Sequence, residues 1–138
     1  MKSKLVSSLA LVAGLFMVCG PMFAHHGTDY AYDVSKRITL HGTVTKFVWS
    51  NPHSFILFDV TDAKGNVTHW GAEENPPQKL SVTGWTEDCM KPGDKITIIG
   101  APSKTGAPRL MDQEVHLADG RVLKGLLPAE VRKPRSQD

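Results

Sequence analysis

Three of the six histidines sit in two short stretches, His25-His26-Gly27 and Trp49-Ser50-Asn51-Pro52-His53. A neutral imidazole is the commonest metal ligand, and an α-amine is a ligand available only at a chain terminus. A chain cut before His25 offers both from one residue, because the amine and the imidazole close a single chelate ring. A second imidazole completes a T-shaped set of three nitrogens, a tetragonal arrangement that suits Cu(II). His26 supplies a neighbouring imidazole. His53 follows an Asn-Pro pair that fixes the backbone in front of it. The expectation is a metal site, copper first, on His25, His26 and His53. The same residues also read as a solvated terminus and a strand-end histidine, and a free His-His terminus takes up Cu(II) or Ni(II) without any physiological purpose. The spacing suggests the site without diagnosing it.

The terminus depends on a leader. Lys2 and Lys4 form a positive start, residues 5–18 are largely apolar, and Pro21 precedes a small residue, Ala24. This is the pattern of a secretory signal peptide over residues 1–24, with an apolar run too short for a confident membrane span. Cleavage after Ala24 is preferred, although Met22 is larger than the usual small residue at that place. Cys19 offers a lipidation alternative, but Phe16-Met17-Val18 lacks the small residues such a site shows. Export to the periplasm follows as the expected location. The precise cut and the fate of Cys19 stay open.

Removing 24 of 138 residues leaves 114, enough for one domain that folds without staples. Cys89 is then the only cysteine, so no internal disulfide can form, and it reads as a small buried hydrophobe. Without Lys2 and Lys4 the remaining 14 basic residues balance 14 acidic ones. A balanced chain lacks the electrostatic footprint of a nucleic-acid binder. Only Arg132-Lys133-Pro134-Arg135 is locally basic, within an expected flexible tail over residues 128–138.

The body, residues 25–127, must position the histidines. Alternation from Ile38 places Ile38, Leu40, Gly42 and Val44 on one face, and Phe47 and Trp49 then fall out of phase. That predicts a bulge near Lys46, with Gly42 as a point where the strand bends. Asn51-Pro52 ends the strand, and a second runs from His53 to Thr61. After the Asp62 to Asn66 turn, a third strand begins at Val67 and ends at Glu73 or Glu74. Pro76-Pro77 opens a short helix using Leu80, Val82 and Trp85 as apolar contacts. A fourth strand covers Ile96 to Ile99, and a fifth covers Leu110 to Leu117 with Met111, Gln113, Val115 and Leu117 on one face. Residues from Arg121 extend the sheet. Three strands, a helix and two strands, with a long bent first strand, is the order of an all-β, five-stranded OB-like barrel with one short helix between strands 3 and 4. Closure would hide the edges of such short strands.

Other polar groups compete for a role. His41, His69 and His116 alternate onto polar strand faces and read as surface residues. Glu73, Glu74 and Asp59 are candidates to support a ligand imidazole or to supply an oxygen ligand, or else they are ordinary edge charges. No Ser-His-Asp set, G-x-S-x-G, P-loop or dinucleotide fingerprint occurs, so catalytic sites and organic cofactors are not indicated and the reading leans away from an enzyme. The aromatics Phe47, Trp49, Phe55, Phe58, Trp70 and Trp85 read mainly as core and loop packing.

Together His25-His26-Gly27, Tyr32-Asp33, Leu40-His41-Gly42-Thr43-Val44, Trp49-Ser50-Asn51-Pro52-His53, Trp70, Gly84-Trp85 and Lys91-Pro92-Gly93-Asp94 resemble a family of small bacterial exported proteins classed as a domain of unknown function. The resemblance implies a periplasmic small barrel from a Gram-negative bacterium and implies no reaction. In that pattern a His-His pair follows the cleavage site and a Trp-x-Asn-Pro-His element recurs, matching His25, His26 and His53. Two functions follow as expectations. One is a metal-binding protein for storage, delivery or protection, with a metal ion and another periplasmic or membrane-associated protein as partners. The alternative is an interaction module that binds a protein or small ligand through its aromatic and Asn-Pro-His surface.

Overall fold

A computed structural model describes residues 31–125 of the chain. The leader, His25, His26 and the tail lie outside the described residues. The chain forms β1 (Ile38–Val48), β2 (Phe55–Thr61), β3 (Val67–Glu73), α1 (Pro77–Ser81), β4 (Lys95–Pro102), β5 (Arg109–Leu117) and β6 (Val122–Lys124). Strand order is β3-β2-β1-β4-β5, and β5 returns to β3 through the parallel pairs Gly71–Arg109, Ala72–Leu110 and Glu73–Met111. The result is the closed five-stranded OB-like barrel, with β6 added to β5 and the helix between strands 3 and 4.

The bent first strand is explained by its sequence. Register with β2 slips between Val44 and Lys46, leaving Thr45 as the extra residue, so Val44 before the bulge and Phe47 after it both turn to the core. Gly42 is required by close approach: a Cβ there would meet Phe58 Cδ2 at 2.6 Å and the Asp59 carbonyl oxygen at 3.0 Å. The core ring of Phe58 therefore lies on the backbone of β1.

Two expected placements are corrected. The helix is a single turn, and Val82 is 84% exposed, whereas Leu80 and Trp85 are fully buried. The turn after α1 folds back so that the Trp85 N–H bonds the Leu80 carbonyl, and the side chain enters the core without a second helical turn. In β5 the register shifts between Ile99–Glu114 and Gly100–Asp112, with Gln113 as the extra residue. The bulge inverts the parity that alternation assigns. Leu110 joins Val115 and Leu117 in the main core, Met111 packs instead with Tyr32 and Ala101, and Asp112 is carried inside.

The aromatic residues behave mainly as packing groups. Phe58 and Trp85 are buried, with Phe47, Trp49 and Trp70 partly buried against the same core. Phe47 lies 5.7 Å from Trp49 and 6.0 Å from Trp85 between ring centroids, and Phe58 stacks on Trp70 at 6.5 Å. Cys89 is buried too, and burial raises its thiol pKa, which keeps it protonated and unreactive.

Candidate functional site

His53 lies in the loop that brings the chain from β1 to β2. The loop is held by its own polar groups: the Ser50 hydroxyl donates to the His53 carbonyl at 2.9 Å, and Ser54 exchanges backbone bonds with Glu74 and Asn75 at the end of β3. The Asn51–Pro52 peptide is cis. These contacts place His53 beside Glu73, the last residue of β3.

His53 Nδ1 is shielded from solvent and lies 2.5 Å from Glu73 Oε1, the spacing of an ion pair, though off the axis of a hydrogen bond. With a carboxylate as its neighbour, Nδ1 is the nitrogen that carries the proton in a neutral ring, which leaves the lone pair on Nε2. The imidazole side chain is 35% exposed. Of the three carboxylates considered from sequence, Glu73 is the one at His53. Asp59 instead meets His69 Nδ1 at 2.6 Å on the solvent face, and Glu74 points into the barrel and is fully buried.

Glu73 is itself held from the other side. The Tyr32 hydroxyl donates to Glu73 Oε2 at 2.6 Å, across 41 residues of sequence. Tyr32 is pinned next to β4 and β5: it bridges to Ser103, and Asp33 N–H bonds the Pro102 carbonyl at 2.8 Å. Burial raises the Tyr32 pKa, and the hydrogen bond to Glu73 and the Glu73 charge raise it further, against a smaller opposing effect of Arg109. The phenol therefore stays a donor throughout the physiological range. The order Tyr32–Glu73–His53 is a carboxylate clamped between a phenol and an imidazole.

The outer face of β2 and β3 next to this clamp carries a groove of about 590 Å³, lined in part by Tyr32, Phe55, Leu57, Trp70, Glu73 and Arg109. Its body is apolar, with the exposed Arg109 on its rim. Tyr32 and Arg109 were not singled out as site residues by spacing. Tyr32 lies in a polar lead-in without periodicity, and Arg109 opens a strand whose closure onto β3 is a tertiary event.

The remaining histidines stay on the surface as expected. His41 Nδ1 contacts Thr97 Oγ1 at 2.9 Å, and His116 Nε2 lies 3.0 Å from Glu114 Oε1. Glu114 also receives Lys124 Nζ at 2.8 Å, and these two hydrogen bonds, Lys124 first, hold its pKa down at about 2. Among the described residues no three His, Cys, Asp or Glu side chains are grouped to hold a metal. No helix among them is long and apolar enough to cross a membrane.

Neither a curated protein nor a solved structure matches the chain. A family model does match, over residues 13–111, and its description is a family of unknown function. That span covers the barrel through the start of β5, including Tyr32, His53 and Glu73, and on it the chain belongs to the family of unknown function DUF6152.

Proposed function

We propose that this is an exported, periplasmic metal-binding protein, with copper as the preferred ion, in which His53 receives a metal carried by His25 and His26 at the mature N-terminus. The observation that supports it is the clamp on His53. A metal-ligating histidine characteristically has its other ring nitrogen held by a carboxylate, which fixes the tautomer and raises the basicity of the ligating nitrogen. Glu73 stands in that relation to His53, and Tyr32 holds Glu73.

Chain length is compatible with the three-histidine site. His26 lies six residues before Tyr32, and extended backbone covers roughly 3.3–3.6 Å per residue, so its reach is about 20 Å from a point already tied to Glu73. In this reading His25 offers its α-amine and imidazole, His26 a neighbouring imidazole and His53 the nitrogen fixed by the barrel. The protein would store, deliver or sequester the ion without turnover, handing it to another periplasmic or membrane-associated protein.

Native mass spectrometry of protein exported to and purified from the periplasm tests this in one spectrum. A mass beginning at His25 with one copper, and without copper in His53→Ala, is the expected result. One extra residue before His25 should weaken Cu(II) uptake sharply. A metal-free mass with no uptake at stoichiometric copper overturns the reading.

The groove favours a second reading, an interaction module for a protein or small ligand that needs no metal. Its apolar surface is contributed by Phe55, Leu57 and Trp70 beside the His53 loop. Under it, Leu57→Asp abolishes partner binding and His53→Ala leaves it unchanged.

A further inference from the structure

Nine glycines lie among the described residues, and eight of them have a structural reason to be glycine. Gly65, Gly84, Gly93, Gly106 and Gly120 take positive φ, and a Cβ on Gly42, Gly100 or Gly125 would stand 2.6 Å or less from another atom. Gly71 has neither reason. A Cβ there would meet Leu57 Cδ2 alone, at an ordinary 3.7 Å. Yet Gly71 sits inside β3, where a missing side chain weakens a strand and marks a place for the close approach of a ligand or another backbone.

The space that Gly71 leaves empty opens onto the outer groove. Leu57 is its partner across the ladder on β2, and Arg109 is its partner in the parallel pairing with β5. The floor of the groove is therefore bare backbone between an isobutyl group and the chain that carries a guanidinium. Leu57 is exposed, and Phe55 and Trp70 are half-buried, so apolar surface flanks that floor. The volume of about 590 Å³ falls within the roughly 300–1,000 Å³ of small-molecule sites.

Charge then selects the ligand. The acidic groups of the lining are Glu73 and Asp59, and both are engaged: Tyr32 and His53 hold Glu73, and His69 holds Asp59. Among the described residues no carboxylate pairs with Arg109. It is exposed, and its charge reaches Tyr32. A guanidinium is a planar fork that matches a carboxylate through two parallel N–H···O bonds. A cationic head would leave that fork unpaired, and a second negative charge would face Glu73 and Asp59. The field of the groove thus favours a single anionic head.

We propose that the groove over Gly71 binds a small monocarboxylic acid with a slender apolar tail. Arg109 takes the carboxylate, and the tail crosses the Gly71 backbone against Leu57, Phe55 and Trp70. This inference rests on the reading of the groove as a ligand surface, which it deepens, and is independent of metal at His53.

The test is fluorescence titration of the full mature chain with decanoate, with decylamine as the matched cation. Trp70 lines the groove, so tryptophan emission reports occupancy. Decanoate should bind saturably and at least about tenfold more tightly than decylamine. Arg109→Gln, an exposed substitution that leaves the core alone, should weaken decanoate binding about tenfold, the scale of a charge-assisted hydrogen bond. Gly71→Val fills the floor with a residue that suits a strand, so its urea midpoint should equal or exceed that of wild type while decanoate binding is lost. Equal binding of decanoate and decylamine overturns the proposal, as does unchanged affinity in Arg109→Gln or in folded Gly71→Val. Where Gly71→Val does not fold, Arg109→Gln decides alone. Absence of decanoate binding to wild type also overturns it. In that case a protein partner whose binding is lost in Leu57→Asp would leave the groove reading standing, so the two failures are told apart.

Discussion

Glu73 and Glu74 are neighbours in sequence and opposites in environment. Strand alternation sends one to each side of the barrel wall. On the outside Glu73 meets two groups with protons to offer, the Tyr32 hydroxyl and the His53 imidazole, and orients both. On the inside Glu74 meets another carboxyl and no donor, and its pKa rises well above the usual range. The same side chain therefore does two jobs within a few ångströms. What decides its role is the supply of donors and water, more than the carboxyl itself.

That contrast can be broken most forcibly from the inside. Trp85→Ala removes a fully buried ring and its bond to the Lys124 carbonyl. A loss of about 3–5 kcal/mol is expected from urea titration. Copper affinity of the population that remains folded should be unchanged, because His53 and Glu73 lie on the other face.

The next effect separates the two glutamates directly. Glu73→Gln should weaken Cu(II) binding by roughly 10–100-fold in a competition titration, the usual cost of losing a carboxylate behind a ligating histidine. Glu74→Gln should leave that affinity within about twofold while changing the pH dependence of stability. With its raised pKa, Glu74 contributes fully below the ordinary glutamate value and loses that contribution as pH rises towards the folded value. Equal effects of both substitutions on copper would show that the strand transmits changes between its faces.

A smaller effect tests the outer clamp. Tyr32→Phe deletes the donor to Glu73 and should cost about 1–2 kcal/mol by urea unfolding. In a spectrophotometric titration one of the two tyrosines should ionise only well above the ordinary phenol value of about 10, and Tyr32→Phe should remove that component. Any stability drawn from the raised phenol pKa is full below the ordinary value and lost only above it, so this bond adds no pH dependence near neutrality.

The smallest effect belongs to the partly buried carboxylate Glu114. Lys124→Met should change stability by less than about 0.5 kcal/mol, because Lys124 is two-thirds exposed. Carboxyl NMR should find Glu114 titrating at a higher pH than the present value of about 2. The contribution of that depressed pKa is present above the ordinary glutamate value and disappears as pH falls towards 2, opposite in sign to Glu74.

The sequence by itself determined the barrel and its bulged first strand. Alternation from Ile38 broke at a definite point, turn residues fell between apolar runs, and closure follows from the need to hide short edges. It also marked His53 by the Asn-Pro before it, and set His41, His69 and His116 on outer faces, because period two is a local property of extended chain. Tertiary structure decided the rest. Local pattern could not choose among Glu73, Glu74 and Asp59 as the partner of His53, since that depends on which strand ends lie beside the loop. Tyr32 reaches Glu73 across 41 residues only because the barrel brings the lead-in alongside β4 and β5. Asp112 was hidden for a related reason. Alternation would leave it outside, and the extra residue in β5 turns it in, a bulge set by pairing with β4 and invisible in the spacing of the strand alone.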